Sequence, residues 1–110
     1  MESSVVHFDE VLKRLDGDKL LFRELAAFFC EDSPALLREI RAGLDEGSVP
    51  RIRRAAHRLR SMLENFDAEH AVAAARTIER SSSRDDLPLV PAALAQLEAD
   101  VKSVQDALGE

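Results

Sequence analysis

Cysteine is almost missing from this chain: Cys30 stands alone, so no intrachain disulfide can form and a cysteine-based zinc cluster is excluded. Trp and Tyr are absent and five Phe are the only aromatic residues, which leaves little to stack on nucleic-acid bases. Gly and Pro number four each, strongly β-forming residues are few, and Leu and Ala dominate the apolar set; that composition favours helices. No apolar run approaches the length of a membrane span, and Met1 to Ser4 lead into no secretory apolar region. A soluble, cytoplasmic protein is the expectation. The net charge of −6 argues against general nucleic-acid binding. Acidic residues are themselves missing from one place. Between Gly47 and Leu63 there is no Asp or Glu, whereas Arg51, Arg53, Arg54, Arg58 and Arg60 crowd together. A basic island inside an acidic protein is the first pointer to function.

At 110 residues the chain is read as one domain, 1–110, able to bury a core without metal or disulfide. Residues 1–6 read as a loose tail. Phe8, Val11, Leu12 and Leu15 recur at helical spacing until Asp16-Gly17-Asp18 breaks the pattern. Asp18 can cap a second helix carrying Phe22, Leu25, Phe29, Leu36, Leu37, Ile40 and Leu44. Pro34 lies inside that run; because the apolar stripe resumes nearly in phase, one long helix kinked at Pro34 is favoured over two. Ser48-Val49-Pro50 opens a third helix with the stripe Ile52, Ala56, Leu59, Leu63 and Phe66. Asp67 reads as the N-cap of a fourth helix ending near Arg80 and faced with Ala68, Ala71, Ala75 and Ile78. Ser81 to Pro88 reads as a polar loop. In the last helix Val90, Leu94, Leu97, Val101, Val104 and Leu108 alternate steps of four and three. The predicted fold is all-α: an up-and-down four-helix bundle with a short extra N-terminal helix.

The third helix carries the chemistry. With about 100° per residue, His57 lies about 140° from the centre of the core stripe and points to solvent. Arg53, Arg54, Arg60, Ser61 and Glu64 share its arc, placing an exposed imidazole among guanidinium groups with a small residue one turn on. Neutral imidazole is a nucleophile near pH 7, and guanidinium groups attract a transferring phosphoryl group. Geometry alone does not separate this from an incidental surface histidine. His7 falls near the tail and His70 in the first turn of the fourth helix. A metal site from His57, Glu64 and His70 lacks any i, i+4 ligand pair, so no metal is expected. Glycine-rich phosphate loops and kinase motifs are missing, so no ATP site is expected. Cys30, next to Phe28 and Phe29, reads as buried rather than reactive.

The stretch Ala56-His57-Arg58-Leu59-Arg60-Ser61, followed by Asn65-Phe66-Asp67-Ala68, resembles the signature of histidine phosphotransfer (HPt) domains, A-H-x-L-K-G and then N-L-G-A. Phe28-Phe29-Cys30-Glu31-Asp32-Ser33-Pro34 is similar to that family's second-helix pattern, and Ile78-Glu79 to its Leu-Glu pair. The resemblance implies a phosphocarrier, not an enzyme, with His57 taking the phosphoryl group on Nε2. Arg60 stands where the family has Lys and would stabilise phosphoryl oxygens. Arg53, Arg54, Ser61 and Glu64 would line the partner-docking face. The implied partners are a receiver domain, a hybrid histidine kinase, or both. The receiver would bring Mg²⁺; this chain is expected to need no cofactor of its own, to contact neither nucleic acid nor membrane, and to work as a monomer. Three residues depart from the pattern: Ser61 and Asp67 replace Gly, and Glu64 puts a carboxylate on the His57 face. Those departures define the alternative of a module that docks a receiver or kinase without carrying phosphate.

Overall fold

The computed structural model describes residues 6–83 and 85–109. Five α-helices follow one another: α1 (Phe8–Arg14), α2 (Lys19–Glu46), α3 (Val49–Glu64), α4 (Glu69–Arg80) and α5 (Val90–Leu108), with a 3₁₀ turn at Leu87–Leu89 before the last. No strand occurs among the described residues. Sequential helices pack side by side and α5 returns to α2, which closes an up-and-down ring of four. Paired positions run antiparallel: Phe29 on α2 stacks edge-on against Phe66 just beyond the end of α3, and Gln105 on α5 donates to the buried Ser33 hydroxyl on α2 at 2.9 Å. The long dimension of 44 Å is close to the length of α2, about 1.5 Å for each of its residues. The expected all-α bundle with a short leading helix is the fold observed.

Local chemistry sets the helix ends. Asp18 Oδ1 accepts from the Leu21 N–H at 3.0 Å, so the predicted cap forms, and Ser48 Oγ accepts from the Arg51 N–H at 3.4 Å where Ser48-Val49-Pro50 opens the third helix. Helix α2 runs unbroken through Pro34, with Phe29, Ser33, Leu36 and Ile40 buried on either side; burial outweighs the missing backbone donor. Gly43 lets α2 and α3 approach closely: a Cβ there would come within 2.7 Å of Ile52 Cγ1.

Two sequence expectations are corrected. Val6, assigned to the loose tail, is fully buried in the core just before the His7 N-cap, where an apolar residue fixes the entry of a helix; the rest of that tail, residues 1–5, lies outside the described residues. Asp67 does not cap α4. It adopts φ +52° and ends α3, while Ala68 is the N-cap and makes no side-chain bond. The Ala68 N–H reaches Leu63 O at 3.4 Å and the Asp67 N–H reaches Glu64 O at 3.2 Å. Gly47 ends α2 in the same way, with Ser48 N–H to Gly43 O at 2.8 Å. Asp is among the few non-glycine types that accept this conformation, and Arg14 holds it through an ion pair of 3.3 Å and a bond to Asn65 O of 2.8 Å. The serine run lies in the expected polar loop, whose first two residues tuck inward. Ser81 and Ser82 are buried, because Ser82 Oγ donates to Ile78 O at 2.6 Å and its carbonyl accepts from Arg53 at 2.6 Å. Arg84, within the same predicted loop, lies outside the described residues.

One core cluster runs through the bundle. The predicted α3 stripe of Ile52, Ala56, Leu59, Leu63 and Phe66 is wholly buried, as are Ala68, Ala71, Ala75 and Ile78 of the α4 region. On α5 the stripe residues Val90, Leu94, Leu97, Val101 and Val104 are buried and Leu108 packs at the margin. This burial fixes the rotation of α3, and with it the direction of His57.

Candidate functional site

His57 projects from α3 with 59% of its side chain exposed, as the position of the core stripe requires. Its Nδ1 faces two groups. Glu79 Oε1, on α4, lies at 3.3 Å, and Arg60 Nη2, one turn along α3, at 3.0 Å. Nε2 has no hydrogen-bond partner among the described residues. The antiparallel register of α3 and α4 makes this possible: one seam sets His57 against Glu79 and Arg53 against the Ser82 carbonyl.

Glu79 is mostly buried, with 17% of its side chain exposed. Burial alone pushes its carboxyl pKa up, but hydrogen bonds from Arg60 and His57, reinforced by their charges, outweigh burial and hold it below the usual carboxylate range. Arg60 meets it in a two-nitrogen grip: Nε donates to Oε2, and Nη2 donates to Oε1 at 3.4 Å. The hydrogen bond to Glu79 is the main reason the guanidinium pKa is raised, against an opposing effect of burial. Arg60 Nη1 donates to Glu64 Oε2 at 2.9 Å, and Arg76 lies 3.6 Å from the same oxygen. Arg60 is therefore less exposed and more occupied than its place beside the stripe suggests, with nitrogens bound to two carboxylates and to Nδ1 rather than Nε2.

The other expected site residues divide around His57. Arg53 turns toward α4 and donates to the Ser82 carbonyl. Arg54, one residue on and so about 100° round the helix, turns the other way and lines a cleft on the α2 side with Glu39, Arg51 and Arg58. Ser61 is exposed. Glu64 is exposed too, with its charge shared between Arg60 and Arg76. His70 stands apart on the α4–α5 side, its Nδ1 2.9 Å from Asp100 Oδ2, and His7 is the N-cap of α1. Neither joins the arginine cluster. Among the described residues no group of three or more His, Cys, Asp or Glu is placed to hold a metal ion. Cys30 is half-buried against the core, and burial pushes its thiol pKa up.

Glu79 is the functional candidate that residue patterns on α3 do not reveal. Its sequence signal was the Ile78-Glu79 pair, which carries no geometry; a carboxylate one helix away reaches the imidazole only through the α3–α4 pairing. The arrangement offers an exposed imidazole, a carboxylate able to hold an N–H on Nδ1, in which tautomer Nε2 carries the lone pair, and guanidinium groups on both flanks.

Comparison with curated proteins and with solved structures returns no match to this chain. The sequence model of the Hpt domain matches residues 24–107, a span from within α2 to the end of α5 that includes His57, Arg60 and Glu79. The exposed histidine on an antiparallel helical bundle and the extent of that match agree: the chain belongs to the Hpt domain family, whose members carry phosphoryl groups on histidine in phosphorelays.

Proposed function

We propose that this chain, as one domain over residues 1–110, carries a phosphoryl group on Nε2 of His57, to or from the aspartate of a receiver domain. The observation that carries the reading is the Glu79–His57 contact. An imidazole attacks phosphorus through an unprotonated nitrogen, so Nε2 must be bare and the proton must sit on Nδ1. Glu79 Oε1 is the acceptor for that proton. As Nε2 bonds to phosphorus, the phosphorus–oxygen bond to the receiver aspartate breaks and its electron pair returns to the aspartate carboxylate. The Nδ1 proton stays in place, the ring gains positive charge, and the Glu79 carboxylate offsets it. No general base is consumed, so the reverse transfer uses the same contacts.

The chain supplies the nucleophile and its orientation. Mg²⁺ and the acidic pocket belong to the receiver in this reading, and the phosphocarrier is not itself an enzyme. The basic residues Arg53 and Arg54, on either side of His57, complement that acidic pocket. Phe8, Leu21 and Phe28 on α1 and α2 are exposed large apolar side chains suited to the rest of the docking surface. None of the helices described is long and apolar enough to cross a membrane. In this reading the chain is a cytoplasmic monomer that meets receivers or a hybrid kinase by diffusion.

Incubation with a phosphorylated receiver tests the proposal. The wild-type chain should take up acid-labile label, and His57→Gln should take up none while keeping its helicity and melting temperature. Label that persists in His57→Gln, or that moves to His7 or His70, would refute the assignment. The rival reading, docking without phosphate, draws on Arg60 being already occupied by Glu79 and Glu64. It predicts tight receiver binding with no label in the wild-type chain.

A further inference from the structure

Beside His57, between α3 and α4, lies an open cleft of about 400 Å³ lined by Arg53, Arg60, Arg76, Glu79 and Arg80. Its volume falls within the range of about 300–1,000 Å³ typical of small-ligand sites, but its walls are cationic rather than apolar. Arg53 and Arg60 are seven residues apart and share one face of α3; Arg76 and Arg80, four apart, share the opposing face of α4. The guanidinium groups are incompletely neutralised. Four of them face two carboxylates, Glu64 and Glu79. Among the described residues Arg53 is bonded only to the neutral Ser82 carbonyl, Arg76 lies at a long 3.6 Å from an oxygen it shares with Arg60, and Arg80 has no carboxylate at ion-pair distance. The C-terminal dipole of α4 favours a cation at its end, which accounts for one of these arginines but not for a converging set. Two excess positive charges in a concave site, spread over about 10 Å of helix, match an anion longer and more highly charged than a single phosphate.

We propose that this cleft is a binding site for a small anion bearing a diphosphate group, held by Arg53, Arg76 and Arg80 with Arg60 at its inner edge. The site is distinct from the phosphoryl group on His57: the cleft adjoins Arg60 and Glu79, which address Nδ1, whereas transfer uses Nε2. Because Arg60 belongs to both, an occupant competes with Glu79 for that guanidinium and alters the hold on His57. This regulatory consequence rests on the His57 reading; the binding itself does not.

Inorganic pyrophosphate is the probe, titrated into the full chain by calorimetry at low salt. Saturable one-to-one binding is expected, weakening as salt rises. Arg80→Gln and Arg76→Gln should each weaken it by about tenfold, the equivalent of one charge-assisted contact. Arg58→Gln removes the same charge from α3 but lines the α2-side cleft, and should leave the affinity within about twofold. His57→Gln should still bind pyrophosphate saturably, so that failure of phosphoryl uptake and failure of this site are told apart. The absence of saturable binding, or equal weakening by Arg58→Gln, would overturn the proposal. So would an Arg80→Gln variant that lost receiver transfer while the wild-type chain bound no pyrophosphate, since the cleft would then be a receiver contact.

Discussion

Glu79 Oε1 stands 3.3 Å from Nδ1 of His57, and Arg60 Nη2 stands 3.0 Å from the same nitrogen. The two cannot both be satisfied at once. A protonated Nδ1 donates to Glu79; a bare Nδ1 accepts from Arg60 and leaves the proton on Nε2. The balance between a carboxylate and a guanidinium thus selects the tautomer, and only the first leaves Nε2 free for the proposed transfer.

Weakening the carboxylate should tip that balance. Glu79→Gln keeps an oxygen acceptor but removes the negative charge, so phosphoryl uptake at saturating receiver should fall about tenfold. Imidazole ¹⁵N shifts of His57 should move toward the Nε2–H tautomer. Unchanged rates together with an unchanged tautomer would remove Glu79 from the mechanism.

Acid should reproduce part of this effect on stability. Arg60 and His57 hold the Glu79 carboxyl below its ordinary pKa against burial, so the folded state binds this proton less readily than the unfolded chain. The resulting stabilisation is fully present above the unfolded value, about 4.3, and is lost as pH falls through the lower folded value. At pH 7 Glu79→Gln should be less stable than wild type; the gap in melting temperature should narrow at pH 4 and narrow further at pH 3. A gap constant over that interval would show that Glu79 does not contribute through its charge.

Arg60→Ala should be costly in stability as well as in transfer. It removes the two-nitrogen partner of a mostly buried carboxylate, a loss of about 1.5–3 kcal/mol in urea unfolding. Arg60→Lys should recover less than half of it, because an ammonium cannot reproduce the paired contact. Full recovery with Lys would mean that charge alone, not the planar geometry, holds the seam.

The turn after α3 gives a test independent of chemistry. Asp67 sits at φ +52°, so Asp67→Val should destabilise by about 1–2 kcal/mol, the cost of a left-handed conformation for an ordinary side chain. Asp67→Gly should stay within about 1 kcal/mol of wild type, since relief of that strain offsets loss of the Arg14 pair and the entropy of Gly. Equal loss in both variants would point to the ion pair rather than the backbone.

What the sequence by itself determined is what depends on neighbours within a turn or two of helix. The stripe Ile52–Ala56–Leu59–Leu63–Phe66 fixed which side of α3 is buried and therefore that His57 faces solvent, because helical periodicity is a local property. The Asp18 cap and the opening of α3 at Ser48 were legible for the same reason: each side chain bonds a backbone N–H three residues ahead. The tertiary structure decided whatever depends on the register between helices. It placed Glu79 against Nδ1 and Arg60 in the grip of Glu79 and Glu64, gathered Arg53, Arg76 and Arg80 into one cleft, and buried Val6 and Ser82. It also turned Asp67 from an expected cap into a left-handed helix stop pinned by Arg14. A side chain as long as arginine can reach several partners, and spacing along one helix does not say which; the neighbouring helix makes the choice by presenting a carboxylate at that level of the seam.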